Sequence, residues 1–349
     1  MSTFHPLSIQ SIRAVAADAI ELTFAVPLEL SEQYTTVHGQ FVLLRTDIDG
    51  VVTERAYSVC SAPYERKLSV AIKRVADGVF SNYALNQLAE GDVLEVSVPR
   101  GEFTYELNSA QPHQFLLLAA GSGITPIISI LKMILASEPQ SRCTLFYGNK
   151  TLAEAMFVDE LQQLQQRYGD RCQIEWVFSR ESVESLTPHQ GRVDANILQA
   201  VLGSAGYNKM DACFVCGPED MALGLRDHLL AQGVAEEKIK IELFSNAALE
   251  AVDEVSSGSQ VRLIIDGEEL EFTYDDPTES LLEQALRLDG DLPYGCQNGS
   301  CGACQAKVLS GSVDMATNYA LSQSEVDDGY VLMCQARPNT QKLEISYDE

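Results

Sequence analysis

With 50 acidic side chains against 24 basic ones, the 349-residue chain carries a formal net charge of −26, which argues against a nucleic-acid ligand because phosphates would be repelled. Its length points to two or three domains, and a hydrophobic content of 46% is enough for ordinary cores. Met1 to Ile9 lacks a basic segment followed by an apolar one, so no secretory signal is expected. The nine scattered cysteines then read as reduced thiols and metal ligands in a cytoplasmic setting.

Residues 1–110 read as β-rich. Ile20, Leu22, Phe24 and Val26 alternate with Glu21, Thr23 and Ala25, and short runs follow at Phe41 to Leu44, Val51 to Val59, Leu68 to Val75 and Val93 to Val98. Short strands with polar turns predict a small antiparallel barrel. Two stretches in it could carry chemistry. In Arg55-Ala56-Tyr57-Ser58, Arg55 suits a phosphate, Tyr57 suits the face of a flat heterocycle, and Ser58 offers a hydroxyl to a ring nitrogen. An ordinary strand would look the same. Gly78-Val79-Phe80-Ser81 leads into a predicted helix, Asn82 to Leu88, and either presents free N–H groups to a pyrophosphate or is plain capping by Ser81.

Residues 111–245 change pattern. Phe115 to Ala136 is apolar and long enough to cross a bilayer, but it contains Gly121, Ser122, Gly123, Pro126 and Lys132 and is better read as strand, glycine turn and helix, so no membrane span is expected. Gln114 to Ala120 followed by Gly121-Ser122-Gly123-Ile124-Thr125-Pro126 and a helix near Pro126 is the layout that seats a dinucleotide pyrophosphate, although Pro126 stands where a third glycine would be. Strands then alternate with helices: Cys143 to Tyr147, helix Leu152 to Arg167, Gln173 to Phe178, helix Asp194 to Leu202, Ala212 to Cys216, helix Pro218 to Gln232, and Lys238 to Phe244. This predicts a doubly wound parallel sheet whose strand ends, Gly148-Asn149, Ser179-Arg180 and Cys216-Gly217-Pro218, line one crevice. Cys213 and Cys216 lie three apart on a strand and point to opposite faces, so they should form no redox couple.

Polar residues 246–258 form a predicted linker to a third domain, 259–349. There Val261 to Ile265 and Leu270 to Tyr274 flank an Asp266-Gly267 hairpin turn, and a helix Glu279 to Leu288 precedes the cysteine-rich loop of a β-grasp outline. Four residues separate Cys296 from Cys301, two separate Cys301 from Cys304, and twenty-nine separate Cys304 from Cys334, the plant-type spacing for a [2Fe–2S] cluster. Gly295, Gly299 and Gly302 let the loop wrap, and let backbone N–H groups approach sulfur. A structural zinc site is the alternative, but it usually shows two short cysteine pairs. From Ser256 onward there are 17 acidic and 5 basic residues, a surface that either steers a basic partner or simply keeps the protein soluble.

Taken in this order, the Arg55 to Ser58, Gly78 to Ser81, Gly121 to Pro126 and Cys216 to Pro218 motifs with the four cysteines resemble the ferredoxin–NADP⁺ reductase superfamily carrying a C-terminal plant-type ferredoxin. The chain is similar to the reductase components of phenylacetyl-CoA epoxidases, ketosteroid hydroxylases and acyl-CoA desaturases. The resemblance implies an FAD site at Arg55, Ala56, Tyr57 and Ser58, with Ile72, Lys73, Gly78, Val79, Phe80 and Ser81 completing it. It implies a nicotinamide dinucleotide site at Gly121, Ser122, Gly123, Ile124, Thr125, Pro126, Cys216, Gly217 and Pro218. Ser58, Cys216 and Glu242 would serve the hydride path, and Phe244 would lie against the flavin and yield to nicotinamide. Ser179 and Arg180 resemble the pair that grips a 2′-phosphate, favouring NADPH, with NADH possible. His38 stands where many relatives have proline, and a lone loop histidine is more often structural.

Electron counting then orders the expected cofactors. A nicotinamide gives up two electrons together, whereas a plant-type cluster takes one at a time near about −400 mV, so FAD must stand between NADPH and the cluster. The resemblance implies a terminal di-iron or Rieske-type oxygenase as electron acceptor. A cluster-based redox sensor and a self-contained flavin oxidase are the alternatives of other classes.

Overall fold

The computed structural model describes residues 4–181, 186, 189–204, 206–244, 258–288, 292–297, 299 and 301–349. The chain divides into two compact units, Phe4–Phe244 and the C-terminal part from residue 245 on. Nearly all of the expected linker lies outside the described residues.

The first unit holds two sheets. Strands β1 (Phe4–Ala16), β2 (Ala19–Ala25), β3 (Phe41–Ile48), β4 (Val51–Ser58), β5 (Leu68–Lys73) and β6 (Val93–Ser97) form an antiparallel sheet in the order β4-β3-β6-β1-β2-β5. A bridge between Val59 and Val70 joins its two edges, so the sheet curls into the expected barrel. Inward Leu7, Leu22, Phe24, Val42, Leu44, Val70, Ile72 and Val96 fill it. The long β1 has no counterpart among the predicted strands. Its pairing with β2 slips between Ile9 and Ser11 and again between Ala14 and Ala16, and each slip breaks the alternation that marks a strand in sequence. Helix α1 spans Val79–Asn86, so it begins three residues earlier than expected, with Gly78 as its N-cap.

The parallel sheet runs β10-β9-β8-β7-β11-β12. Its strands are β7 (Gln114–Ala120), β8 (Arg142–Asn149), β9 (Cys172–Phe178), β10 (His189–Gln190), β11 (Ala212–Gly217) and β12 (Ile239–Leu243). Helices α2 (Ile124–Ser137), α3 (Val158–Tyr168), α4 (Ala195–Leu202) and α5 (Glu219–Ala231) connect them. The expected helix from Leu152 starts only at Val158. Phe157 sits in the left-handed region (φ 59) and its amide bonds Val15 of the barrel, so Leu152–Phe157 is a loop tied to the first sheet. Cys216, Phe214 and Ala212 share one core face of β11, as expected for a strand that turns Cys213 the other way. Among the described residues no helix is long and apolar enough to cross a membrane.

The second unit has a five-stranded sheet in the order β14-β13-β19-β15-β17 and a two-stranded one, β16-β18. The strands are β13 (Ser259–Ile265), β14 (Glu268–Tyr274), β15 (Gln305–Ser310), β16 (Val313–Met315), β17 (Tyr330–Leu332), β18 (Ala336–Pro338) and β19 (Lys342–Ser346), with helices α6 (Leu281–Arg287) and α7 (Gln323–Asp327). Asp266 (φ 51) and Gly267 (φ 75) make the two-residue turn that their sequence predicts. Ser280 and Glu283 cap α6 reciprocally, which fixes the start of the helix leading to the cysteine loop.

Candidate functional site

On the barrel, exposure along β4 decides what each motif residue can do. Arg55 and Ala56 are exposed, Tyr57 is half-buried and Ser58 is buried. The Tyr57 ring lies 5.6 Å from that of Phe80 on α1, bringing the two predicted motifs together. Burial pushes the Tyr57 phenol well up, against the opposing pull of the Arg55 guanidinium. Ser81 does not cap α1, contrary to one expectation: it sits inside the first turn, and its Oγ accepts from the Val75 amide at 3.1 Å. The hydroxyl therefore closes the loop before the helix and leaves the first amides of Val79 and Phe80 without a side-chain cap.

Ile72 and Lys73 present other sides. The Ile72 side chain is buried in the barrel core, and the Lys73 ammonium bonds Asp18 at 2.8 Å and the Glu154 carbonyl at 2.7 Å. The neighbouring Arg74, which sequence reasoning passed over, is exposed and reaches Asn82 at 2.5 Å and Asn86 at 3.0 Å on α1. A cation directly before a glycine turn was the signal available for it.

The parallel strands end together. Gly148 pairs in register with Ala120 and Val177, Cys216 with Ala119 and Glu242, and the amides of Ser179 and Arg180 bond the carbonyls of Asn149 and Lys150. All three predicted strand ends thus share one edge. Gly121 opens a single 3₁₀ turn, Gly121–Gly123, that runs into α2, and its φ of +56 with nothing within 4 Å of a would-be Cβ leaves open space above the turn. Gly123 has a different duty. A Cβ there would stand 2.1 Å from the Cys216 carbonyl, so it lets α2 pack against β11, the task a third glycine would otherwise perform. Thr125 turns its hydroxyl onto the Ser122 carbonyl at 3.0 Å, and Pro126 is buried in the first turn of α2, where its missing N–H costs nothing.

Ser58, Cys216 and Glu242 converge. The Ser58 hydroxyl donates to Glu242 Oε2 at 3.2 Å, both residues being buried, and Cys216 is the register partner of Glu242. Burial first, and then the Glu242 charge, push the Cys216 thiol well above its ordinary value, so it stays protonated. Phe244 lies just beyond β12 with its ring 43% exposed, free to be covered or displaced.

In the second unit the four expected ligands are unbridged by disulfides, Cys304 and Cys334 buried and Cys296 and Cys301 less so. They draw together in two couples. The Cys296 thiol, with burial, drives Cys301 well above its ordinary value, and Cys334 does the same to Cys304. The Cys296 amide also donates to Cys301 Sγ at 3.3 Å. Two couples suit two irons with two thiolates each. The Tyr347 hydroxyl is buried with no partner among the described residues, and its ring packs on the core that contains Cys304 and Cys334. A buried hydroxyl near the Cys304 and Cys334 sulfurs fits a cluster better than it fits an apolar core.

Three family models match in chain order: an oxidoreductase FAD-binding domain over 6–105, an oxidoreductase NAD-binding domain over 117–227, and a 2Fe-2S iron-sulfur cluster binding domain over 263–339. One of the subunits of 1,2-phenylacetyl-CoA epoxidase from Escherichia coli (strain K12) is 38% identical over 352 residues, covering 100% of this chain and 99% of that protein. The chain belongs to the ferredoxin–NADP⁺ reductase superfamily, in the branch with a C-terminal ferredoxin domain. Another member, the ferredoxin reductase component of 3-ketosteroid-9-alpha-monooxygenase from Rhodococcus rhodochrous, is 34% identical over 98% of this chain and 96% of its own. Phthalate dioxygenase reductase shares the fold, with a TM-score of 0.62 and 23% identity over 98% of each chain. As a member of this superfamily the protein is an oxidoreductase with FAD-, NAD- and 2Fe–2S-binding domains.

Proposed function

We propose that the protein is the NADPH-dependent reductase of a multicomponent monooxygenase, passing electrons through FAD and a [2Fe–2S] cluster to a di-iron oxygenase of the phenylacetyl-CoA epoxidase type. The observation that carries this reading is the collinear 38% identity to a phenylacetyl-CoA epoxidase component along the whole of both chains. Bound flavin supplies the conversion between paired and single electrons that neither a nicotinamide nor a cluster performs alone.

The residues divide the remaining work. Arg55 and the uncapped amides at the start of α1 hold the flavin's phosphates, and Tyr57 backs its ring. Gly121 and the following turn receive the dinucleotide pyrophosphate, and Arg180, exposed beyond β9, meets the 2′-phosphate that distinguishes NADPH. Ser58, held by Glu242, would offer its hydroxyl to a bound flavin ring, and the exposed Phe244 would be the aromatic that yields to nicotinamide. Cys296, Cys301, Cys304 and Cys334 hold the two irons.

Reconstitution tests it. The purified protein, NADPH and the oxygenase components of a phenylacetyl-CoA epoxidase should together convert phenylacetyl-CoA, and omission of the reductase should abolish product. Product formation only with a Rieske hydroxylase or an acyl-CoA desaturase would transfer the protein to those systems. For the coenzyme, Arg180→Ala should lower the preference for NADPH over NADH at least tenfold, about the size of one lost charge-assisted hydrogen bond; an unchanged preference removes Arg180 from that role.

A further inference from the structure

We propose that Gln335 is a clasp that both closes the cysteine loop and sets the cluster's reduction potential, by holding an amide donor against the Cys334 sulfur. The inference rests on the reading of the four cysteines as [2Fe–2S] ligands.

Gln335 follows the last cysteine directly and is only 3% exposed. Its Nε2 faces three acceptors: the Gln297 carbonyl at 2.9 Å, the Cys334 carbonyl at 3.0 Å and Cys334 Sγ at 3.7 Å. The two carbonyls, which only accept, fix the end of the amide that carries the hydrogens, and its Oε1 then accepts from the Thr317 hydroxyl at 2.7 Å. One side chain therefore touches the loop between the first two cysteines, the fourth cysteine, and the segment at Thr317.

The cysteine loop is shaped to this clasp. Gly299, at φ +81, lies so close that a Cβ would stand 3.0 Å from Thr317 Oγ1 and 3.1 Å from Gln335 Cγ. The Gly299 carbonyl accepts from the Tyr319 amide at 3.0 Å, and the Gln335 carbonyl from Ala316 at 3.0 Å. Gln297 is itself left-handed (φ 57), so the carbonyl that Gln335 holds belongs to a backbone position needing support.

Gln335 lies in an apolar run of sequence, Val331, Leu332, Met333 and Ala336 all being buried, yet leucine in its place would leave the Gln297 carbonyl and the Thr317 hydroxyl without the amide that meets them. Beyond those contacts the amide adds a donor beside a ligand sulfur. A reduced cluster carries one more negative charge than an oxidised one, spread partly over its sulfurs, so a fixed N–H stabilises the reduced form more and raises the potential. Gln335 is thus a positioning residue that acts through Cys334.

The test uses the full-length protein with its flavin and cluster, and reads the cluster potential by a redox titration followed by electron paramagnetic resonance, alongside iron and sulfide content. Gln335→Leu should keep its cluster yet be about tenfold harder to reduce, a midpoint about 59 mV lower for one electron. Thr317→Val, which frees the amide without deleting it, should move the midpoint the same way by less. A cluster-loaded Gln335→Leu with the parent midpoint overturns the proposal. If that variant does not retain iron, Thr317→Val decides, and a parent midpoint there overturns it too. A parent protein that holds no paired iron and sulfide after reconstitution overturns the [2Fe–2S] reading itself, an outcome distinct from an unmoved potential.

Discussion

The Ser58 hydroxyl donates to Glu242 Oε2 across 184 residues of chain, joining the last residue of the barrel's β4 to the outer strand of the parallel sheet. A serine in this position is fixed by a group from the other sheet, so the place where a flavin ring would meet its hydroxyl depends on how barrel and sheet dock. Ser58→Ala leaves a buried carboxylate short of one donor and should cost about 1–3 kcal/mol of stability. Glu242→Gln keeps the shape but weakens the hold on the hydroxyl. Each variant should bind flavin and yet be reduced by NADPH about a hundredfold more slowly in a single turnover, the usual consequence of a reacting group displaced by about 1 Å. Parent-like rates in both would remove the pair from the hydride path.

Gly121 and Gly123 stand two apart in one turn and should respond to alanine differently. At Gly121 there is room for a methyl group but a left-handed backbone, so Gly121→Ala should cost about 1–2 kcal/mol. At Gly123 the backbone is ordinary but the Cβ would meet the Cys216 carbonyl at 2.1 Å, a rigid strand atom. Gly123→Ala should therefore reach the top of the overpacking range, about 3 kcal/mol or more. Urea midpoints of the two variants check the order; a milder Gly123→Ala would mean that α2 can slide off β11.

These contrasts mark what a sequence exposes. The motifs at Arg55–Ser58, Gly121–Pro126 and the Cys296–Cys304 loop are legible because each is a local run whose pattern suits one ligand, and Cys334 adds a fixed spacing to the last. The parallel sheet is legible from alternating apolar runs and helical stretches. What stays hidden is set by distant chain. The long β1 carries two register slips, Phe157 turns left-handed because its amide serves the barrel, and nothing near Ser58 names Glu242 as its partner. Gln335 was overlooked because a single polar residue in an apolar run has no period, although its place directly after Cys334 was a usable signal.

Lys132 is another such residue, lying inside the apolar α2. Its ammonium pairs with Glu65 Oε2 at 3.1 Å and with Glu160, and its side chain is only 5% exposed. Burial alone would lower its affinity for the proton, but Glu160 and Glu65 outweigh this and hold it above its ordinary value. The cluster bridges barrel and parallel sheet, since Glu65 belongs to the first and Glu160 to α3 of the second. Lys132→Met leaves Glu65 with Lys67 at 3.8 Å and the Ala62 amide, and Glu160 with Arg13 at 3.6 Å, and should destabilise by about 3 kcal/mol, the low end for a broken buried pair because each carboxylate keeps another partner and some solvent. Adding Glu65→Gln and Glu160→Gln should restore most of that loss, as judged by the urea midpoint. A triple variant no better than Lys132→Met would show that the ammonium acts through packing and not through charge.

His38 gives the fold an acid limb that can be isolated. The ring is buried, and the Tyr105 amide approaches Nε2 at 3.4 Å, a contact that requires that nitrogen to be unprotonated. Burial holds the imidazole below its ordinary value of 6.5, against the opposing pulls of the Tyr105 backbone and of Glu138. The unfolded chain consequently takes up a proton near pH 6.5 that the folded chain refuses until the pH is lower. The stability this histidine contributes is complete above about pH 6.5 and drains away as pH falls through the folded value. In His38→Asn that drain is absent. The parent should be the more stable protein above about pH 6.5, and the two urea midpoints should converge as the pH falls below it. A gap that stays constant over that fall would place the acid sensitivity elsewhere, among the carboxylates.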